Sequence, residues 1–257
     1  MAFAYEQYYA SGQYDERYPQ PNPVVMRAIR RWSPIAAPAV VDFGCGSGRY
    51  TLALATRARK VVGYDICAAA LSRAADYRRA QGDPPNVQFG EAGAFSASEH
   101  MARHGPADVV LAIFGVLAHI TEDQARHGVL AELRKALRPV TGRLVVSVPN
   151  RRRRFRAEQA ARSQDPTRIV YERRLPETSI ELSYRLYDPA ILRQELQAAG
   201  FEVLTIKAES FLPERTVANS AVARMLERML APILPASAGY GLLAVARRPA
   251  VDDADHA

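Results

Sequence analysis

The chain contains few cysteines and no long apolar run. Cys45 and Cys67 are its two cysteines in 257 residues, and their spacing matches neither a metal-binding motif nor a disulfide framework. We therefore expect no metal site and a reducing, cytoplasmic compartment. No apolar stretch reaches the roughly 20 residues that a membrane-spanning helix needs. The N-terminus also lacks the continuous apolar segment of a signal peptide, so we expect a soluble protein.

Lysine is scarce as well, although the chain is basic. Its 34 basic and 27 acidic side chains give a net charge of +7, and the lysines are Lys60, Lys135 and Lys207. A basic surface is typical of nucleic-acid partners, but heavy arginine and alanine use also accompanies a GC-rich genome. A nucleic-acid partner therefore stays open without being favoured. The apolar share of 48% is that of a folded globular protein.

Strand-like and helix-like segments alternate through the first 150 residues. Short apolar runs end in glycine, aspartate or proline, as buried parallel strands do. This alternation predicts an α/β fold with a parallel, doubly wound sheet and right-handed crossovers. The strands are predicted at 39–43, 60–64, 87–89, 108–114 and 143–148, and the helices at 22–32, 48–57, 68–79 and 122–137.

The pattern changes after residue 150. Two β-like runs at 168–175 and 179–187, joined by a turn that contains proline, predict a β-hairpin inserted after the fifth strand. Later segments complete a mainly parallel, seven-stranded Rossmann-like sheet with a helical insert before its last strand. We expect that insert to cap the substrate or to pair with a second subunit as a homodimer. The later elements are predicted as a helix at 189–199, a strand at 201–206, an amphipathic helix at 216–230 and a strand at 240–246.

A glycine-rich loop follows the first predicted strand. Residues 41–48 read VDFGCGSG, with three alternating glycines after an acidic residue. Glycine at such a turn lets the backbone approach a ligand closely and adopt φ > 0. A dinucleotide site needs a further glycine at position 49, where this chain has Arg49. The loop therefore predicts a ligand site that is not a simple NAD site.

This loop resembles the first motif of the class I S-adenosylmethionine-dependent methyltransferases, and the chain looks like their type 11/25 branch. The resemblance covers about residues 39–150 and implies S-adenosylmethionine as cofactor, S-adenosylhomocysteine as product and no metal. It implies that the acid of the motif helps to orient the ammonium group of the cofactor, directly or through water. The residues that carry these implications are Asp42, Gly44, Cys45, Gly46 and Gly48.

An acidic residue ends the second predicted strand. Asp65 lies about 20 positions after Gly44, which is the spacing of the ribose-binding acid in dinucleotide folds. A carboxylate there can accept hydrogen bonds from both ribose hydroxyls. Ile66 is predicted to supply an apolar face to the adenine, with a plain core role as the alternative. Asp65 is therefore the residue most strongly predicted to bind the cofactor, with a solvated aspartate at a strand end as the alternative.

The resemblance continues, less closely, after the later strands. Glu91 and Ala92 follow the third predicted strand, where the family usually has an acid near the adenine amino group. Phe114 and Gly115 begin a segment, extending to residue 120, that resembles the family's lining of the methyl-donor pocket. The resemblance implies that these residues contact the cofactor.

Tyrosines cluster near the N-terminus. Aromatic rings favour cationic sulfonium or ammonium groups, so this segment is predicted either to form a lid, with Tyr9 and Tyr18 against the cofactor, or to pack on the sheet edge. The two alternatives stay open. The cluster consists of Tyr5, Tyr8, Tyr9, Tyr14 and Tyr18.

Catalytic groups are harder to predict, because methyl transfer from an activated donor depends mainly on alignment. Orientation alone can supply about 7–11 kcal/mol. His119 is the best-placed candidate base, since it lies at the carboxyl edge of the sheet; a structural histidine bonded to the backbone is the alternative. The arginines at 151–154 lie at the same edge and suit carboxylates or phosphates, unless they form a solvated loop.

Motifs of several methyltransferase subclasses are missing. The DPPN sequence at 83–86 precedes the third strand, whereas adenine and glutamine N-methyltransferases carry a related motif after the fourth. We therefore predict a methyltransferase acting on a small-molecule acceptor. An RNA or tRNA methyltransferase comes second, and a catalytically inactive methyltransferase-like binding module comes third. The acceptor and the atom that is methylated stay open.

The predicted organisation has five parts. Residues 39–150 form the cofactor-binding core, and the other parts surround the acceptor or extend the sheet. These other parts are an N-terminal Tyr-rich segment and helix at 1–38, an inserted hairpin or cap at 151–187, the C-terminal half of the sheet with its capping helix at 188–249, and a disordered tail at 250–257.

Overall fold

The computed structural model describes residues 2–161, 165–176, 178–230 and 233–250. The apolar runs found in the sequence become strands because their β-branched residues are buried on both faces. The strands are β1 (Ala39–Phe43), β2 (Lys60–Asp65), β3 (Val87–Glu91), β4 (Val109–Ala112), β5 (Arg143–Pro149), β6 (Arg168–Arg174), β7 (Ser179–Arg185), β8 (Glu202–Ser210) and β9 (Gly241–Arg247).

Helices follow most strands and cover both faces of the sheet. Two short 3-10 helices lie at Ala92–Ala94 and Ala236–Ala238. The α-helices are α1 (Ala2–Ala10), α2 (Gln13–Arg17), α3 (Pro23–Trp32), α4 (Arg49–Leu54), α5 (Ala68–Ala80), α6 (Ala97–His104), α7 (Val116–His119), α8 (Asp123–Ala136), α9 (Arg156–Ala160), α10 (Pro189–Ala198), α11 (Glu214–Asn219) and α12 (Ala221–Leu230).

Within the described residues the central sheet has seven strands, in the order β3-β2-β1-β4-β5-β9-β8. The first five pair in parallel, and β9 lies antiparallel between β5 and β8. The predicted mainly parallel, doubly wound sheet is confirmed. The strand order reverses between β1 and β4, and ligands of such sheets bind outside the carboxyl ends of the strands at this point.

The inserted hairpin is present. Strands β6 and β7 form a separate two-stranded antiparallel sheet. Its apolar side chains Leu175, Ile180 and Leu182 pack against Tyr8 of helix α1. The hairpin and the N-terminal helix therefore lie together over the carboxyl edge of the main sheet.

The prediction of one continuous helix at 216–230 is wrong. Ser220 has an extended backbone (φ −134°, ψ 122°) between α11 and α12, and its hydroxyl accepts a hydrogen bond from Ala223 N, as a helix N-cap does. The apolar stripe of α12 faces solvent, since Met225 is 56% and Met229 65% exposed. Its predicted role as a cap or a subunit contact stays a prediction.

Several elements differ from the predicted boundaries. The fourth strand ends at Ala112, because Phe114 (φ 63°) and Gly115 (φ 84°) adopt left-handed backbone conformations. Short helices α6, α7 and α9 occupy segments for which no helix was predicted. Apart from Ala250, the predicted tail at 250–257 lies outside the described residues.

None of the helices in the described part of the chain combines the length and the apolar character that a membrane span requires.

Candidate active site

A cavity of about 570 Å³ opens at the carboxyl edge of the sheet, beside the reversal between β1 and β4. Its size is in the usual range of ligand pockets, and its lining is mainly apolar with a few polar groups, as such pockets are. Three tyrosines of the N-terminal segment cover it. The predicted site residues that line it together are Gly44, Asp65, Ile66, Ala92, Phe114, His119 and Tyr9.

The glycine loop depends on the absence of side chains. Gly44, Gly46 and Gly48 have φ values of 75°, 55° and 82°, in the left-handed region that favours glycine. A Cβ atom at Gly44 would lie 2.3 Å from Val116 Cγ2, and one at Gly46 would lie 2.2 Å from the Tyr9 hydroxyl. The loop is therefore shaped by close approach of the residues that surround the cavity.

Replacing Gly46 with alanine should destabilise the protein by more than backbone strain alone. A left-handed non-glycine residue costs about 1–3 kcal/mol, and here the new Cβ would also collide with the Tyr9 hydroxyl. Urea unfolding measures the loss. Gly82→Ala is the matched control, because Gly82 has φ 83° and no atom within 4 Å of an added Cβ. Equal losses in both variants would contradict the predicted contact.

Asp65 anchors the loop with both carboxylate oxygens. Its Oδ2 accepts from Gly46 N at 2.7 Å, and its Oδ1 accepts from Cys67 N at 2.9 Å. Burial raises the pKa of the carboxyl, and the backbone hydrogen bonds oppose that rise. Each carboxylate oxygen has further lone-pair sites, so Asp65 can still accept hydrogen bonds from a ligand in the cavity. Ile66, next to it, is 51% exposed, which excludes a plain core role.

Asp42 has an unsatisfied oxygen beside the loop. The side chain is buried, and its Oδ2 accepts from Thr51 Oγ1 at 2.6 Å. Its Oδ1 is buried with no hydrogen-bond partner among the described residues. Burial is the main cause that raises the pKa of Asp42 to about 6. The residue lines a gap of about 10 Å³ with Gly44 and Phe114, a space close to that of one water molecule.

The N-terminal helix α1 is docked by polar contacts. The Glu6 carboxylate accepts from Ala68 N at 2.6 Å and Ala69 N at 3.0 Å, where the first turn of α5 favours a negative charge. Arg73 Nε donates to Tyr9 O at 2.8 Å. Since Tyr5, Tyr9 and Tyr14 also line the cavity, the arrangement supports the lid alternative over packing at a sheet edge.

Other predicted cofactor residues lie outside this lining. Tyr18 is behind Phe114, with 4.6 Å between the ring centroids. Gly115 donates from its backbone N to Ser147 O, and Glu91 is exposed at the end of β3. Cys45 is buried and lines the small gap beside Asp42 instead. The cofactor contacts of these residues stay predictions.

His119 is enclosed by aromatic side chains. Tyr5 Oη lies 2.5 Å from His119 Nε2, and the Tyr184 ring lies edge-on with 4.2 Å between centroids. Burial lowers the pKa of His119 to about 3, and the charges of Arg154 and Arg173 act in the same direction. The imidazole is therefore neutral near pH 7, and a backbone hydrogen bond with Ser183 opposes the shift of its pKa. One nitrogen of a neutral ring is an acceptor, and here Nε2 contacts the Tyr5 hydroxyl.

The arginines at 151–154 do not form a fully solvated loop, because two of them contact other parts of the protein. The Arg154 guanidinium lies 4.7 Å from the Phe155 ring centroid and 4.8 Å from that of Tyr240. Arg153 Nη1 donates to Ala238 O at 2.8 Å. These contacts hold the run against the C-terminal part of the chain.

Sequence reasoning missed the side chain that fixes the loop after α7. Arg126 is 1% exposed and donates from Nη1 to Ile120 O at 2.7 Å. It also forms an ion pair with the buried Glu195. Ile120 lines the cavity, so the buried ion pair helps to hold part of the cavity wall in place. The two partners are far apart in sequence, and no motif links them.

Across residues 2–161, 165–176, 178–230 and 233–250, no three or more His, Cys, Asp or Glu side chains are grouped so that they could hold a metal ion.

Part of the chain is similar to known methyltransferase sequences. Residues 40–140 match a family model described as a methyltransferase domain. A segment of 100 residues, 37% of this chain, is 34% identical to the 23S rRNA (uracil(1939)-C(5))-methyltransferase RlmD of Nitrosospira multiformis. That match spans 23% of the relative's length, so it compares one part of each protein.

Solved structures extend the likeness to most of the fold. A SAM-dependent methyltransferase from Methanosarcina mazei has a TM-score of 0.64 at 17% identity, over 90% of this chain and 99% of its own. The DhpI-SAM-HEP complex has a TM-score of 0.62 at 18% identity, over 94% of each chain. Residues 40–140 are therefore similar to a methyltransferase domain, and the chain has the fold of the class I S-adenosylmethionine-dependent methyltransferases.

Proposed function

We propose that this protein binds S-adenosylmethionine and transfers its methyl group to a small-molecule acceptor. The observation that carries the proposal is the cavity of about 570 Å³ in which the glycine loop, Asp65 and His119 meet. A cavity of this kind suits a reaction in which alignment and exclusion of water supply most of the catalysis. The match of residues 40–140 to a methyltransferase domain supports the same reaction.

The residues present fit the cofactor. Bound S-adenosylmethionine supplies an activated methyl group, which passes to the acceptor as the sulfonium becomes a thioether. Asp65 would accept hydrogen bonds from the ribose hydroxyls, and Ile66 would cover one face of the adenine. The unpartnered Oδ1 of Asp42 would attract the ammonium group, and the small gap in front of it favours the water-mediated form of that contact.

A small acceptor is favoured by the cover over the cavity. The tyrosines of α1, together with His119, close the cavity on the side of the hairpin, so an acceptor must fit beneath or beside this lid. An RNA acceptor is the second candidate, and it is favoured by the net charge of +7 and by the partial match to an rRNA methyltransferase. That match spans 37% of this chain and 23% of the rRNA methyltransferase.

Two measurements test the proposal. Calorimetric titration should give a saturable heat with S-adenosylmethionine, and methyl-labelled cofactor should label components of a deproteinised metabolite extract. Bulk tRNA and rRNA are incubated in parallel. If only RNA becomes labelled, the acceptor is RNA and the proposal of a small-molecule acceptor is wrong. A titration without heat at several temperatures would rule out the cofactor.

His119 is proposed to accept the proton of the acceptor nucleophile. His119→Asn should then lower kcat by 10²–10⁴-fold, the range typical of a general base. With a pKa of about 3, the wild-type imidazole stays deprotonated, so kcat at saturating cofactor should not fall between pH 8 and pH 5. A fall with an apparent pKa near 6.5 would contradict this environment. Tyr5→Phe is the companion variant, since it removes only the hydroxyl that touches His119.

A further inference from the structure

A second, larger cleft lies on the other side of the N-terminal helix. It has a volume of about 800 Å³ and runs between α2, the end of β6 and α11. Four arginines from these three elements line it, with Glu16 as the acidic side chain among the lining residues. We call it the arginine cleft, after Arg17, Arg173, Arg174 and Arg215.

Within the described part of the chain, the arginines of the cleft form no ion pairs. Many arginines of this chain pair with carboxylates, as Arg126 and Arg185 do with Glu195. Among the described residues, no ion pair involves any of the four cleft arginines, although a typical arginine fork binds a carboxylate or phosphate with two parallel bonds. Converging cations without a carboxylate partner among the described residues leave a site suited to an anion from solution.

Arg173 is the fixed member of this group. Its guanidinium lies 5.0 Å from the Tyr8 ring centroid, and its Nη1 donates to Tyr8 Oη at 3.1 Å. Its Nε is buried with no partner among the described residues. Such stacking holds the guanidinium in one orientation, which lowers the entropy lost when it binds an anion. Arg174 and Arg215 are exposed at the mouth of the cleft.

The arginine cleft is close to the candidate active site. Tyr8, which lines the cleft, lies 6.4 Å from Tyr5 between ring centroids, and Tyr5 contacts His119. The charge of Arg173 adds to burial in lowering the pKa of His119. Tyr5 and Tyr8 of α1 therefore lie between the cleft and the cavity that contains the proposed base.

On the basis of the proposed function, we infer that the arginine cleft binds an oxyanion group, a phosphate or a carboxylate, of the small-molecule methyl acceptor. That group is not the one methylated; it anchors the acceptor while the nucleophilic end reaches past Tyr8 toward His119. A concave cleft of this volume fits a small ligand. RNA would need a longer basic groove that follows its backbone.

Anion binding can be tested without knowing the acceptor. Inorganic pyrophosphate and malonate, which represent phosphate and carboxylate acceptors, are titrated calorimetrically at low ionic strength. We expect Arg174→Gln combined with Arg215→Gln to weaken the tighter of the two by at least tenfold. Both side chains are exposed, so the variant should fold. Arg27→Gln combined with Arg31→Gln removes the same charge from exposed positions on α3 and should change affinity less than twofold.

The outcomes separate this inference from the proposed function. Equal loss of anion affinity in both double variants would overturn the inference that the arginine cleft binds an anion. Failure of the wild type to bind either anion would do the same. S-adenosylmethionine should bind all variants equally, and its failure to bind the wild type would count against the proposed function alone. In the labelling assay, the product is expected to stay on an anion-exchange resin at pH 8. A labelled product in the flow-through, or label only in RNA, would overturn the inference that the methyl acceptor is a small anionic molecule.

Discussion

Asp65→Ala should weaken S-adenosylmethionine binding by at least a hundredfold. Hydrogen bonds to a charged group contribute about 1.5–3 kcal/mol each, and two ribose hydroxyls are expected to donate to this carboxylate. A loss of about 3 kcal/mol corresponds to more than a hundredfold in affinity. The variant also frees Gly46 N and Cys67 N, which now donate to Asp65, so the loop that faces the cofactor loses its anchor.

Calorimetric titration measures this loss, and thermal unfolding of each variant shows whether the fold is kept. Asp65→Asn retains the size of the side chain and one acceptor oxygen, so it should lose less affinity than the alanine variant. Asp76→Ala is the control, because Asp76 is exposed on α5 and pairs only with Arg79 among the described residues. Affinity within threefold of wild type for Asp65→Ala would exclude the ribose role.

The glycine loop and the strand-end acid proposed to hold the cofactor could be predicted to lie together because their requirements are local. Three glycines with positive φ and an acid at the end of a strand are visible as residue types at fixed spacings. The structure brings Asp65 and Gly46 into contact, and the predicted ribose contact of Asp65 stays a prediction. Strand positions were predictable for the same reason, since short buried apolar runs between turn residues have few alternatives.

The acceptor half could not be predicted, because it depends on contacts between distant segments. Tyr5 and His119 are 114 positions apart, and the hairpin residue Tyr184 joins them only after folding. The aromatic types at these positions suggest burial, but not which rings meet. Ser220 shows the opposite difficulty: its cap contact is local, yet the apolar period on both sides indicated one continuous helix.

Asp42→Asn should have opposite effects on stability and on cofactor binding. Burial raises the pKa of Asp42 from 3.8 to about 6, so the ionised form is disfavoured in the folded protein by about 3 kcal/mol, at 1.36 kcal/mol for each pKa unit. Asparagine carries no charge and can still accept the hydrogen bond from Thr51. The cofactor-free variant should therefore gain about 1–3 kcal/mol at pH 8, while its affinity for S-adenosylmethionine falls because the ammonium group loses a counter-charge.

The effect of Asp42→Asn on the free energy of unfolding should depend on pH. Because the folded protein binds the Asp42 proton more tightly than the unfolded chain, the contribution of this group to stability is present below about pH 4 and is lost as the pH rises toward 6. Urea unfolding without cofactor should thus find variant and wild type closest at pH 4 and furthest apart at pH 8. A variant less stable than wild type at pH 8 would show that the charge of Asp42 is compensated within the protein.

Asp108→Asn is the matched control for Asp42→Asn, since Asp108 is an equally buried aspartate with the opposite shift. Despite burial, the backbone N–H of Ala39 and the guanidinium groups of Arg59 and Arg138 hold the pKa of Asp108 below its usual value. Its contribution to stability is present above pH 4 and is lost as the pH falls. Asp108→Asn should therefore destabilise the protein at pH 8 and less so at pH 3. We therefore expect the free energy of unfolding at pH 8 to rise in Asp42→Asn and to fall in Asp108→Asn. This difference would show that the protein itself stabilises the charge of Asp108, whereas the charge of Asp42 needs a ligand to compensate it.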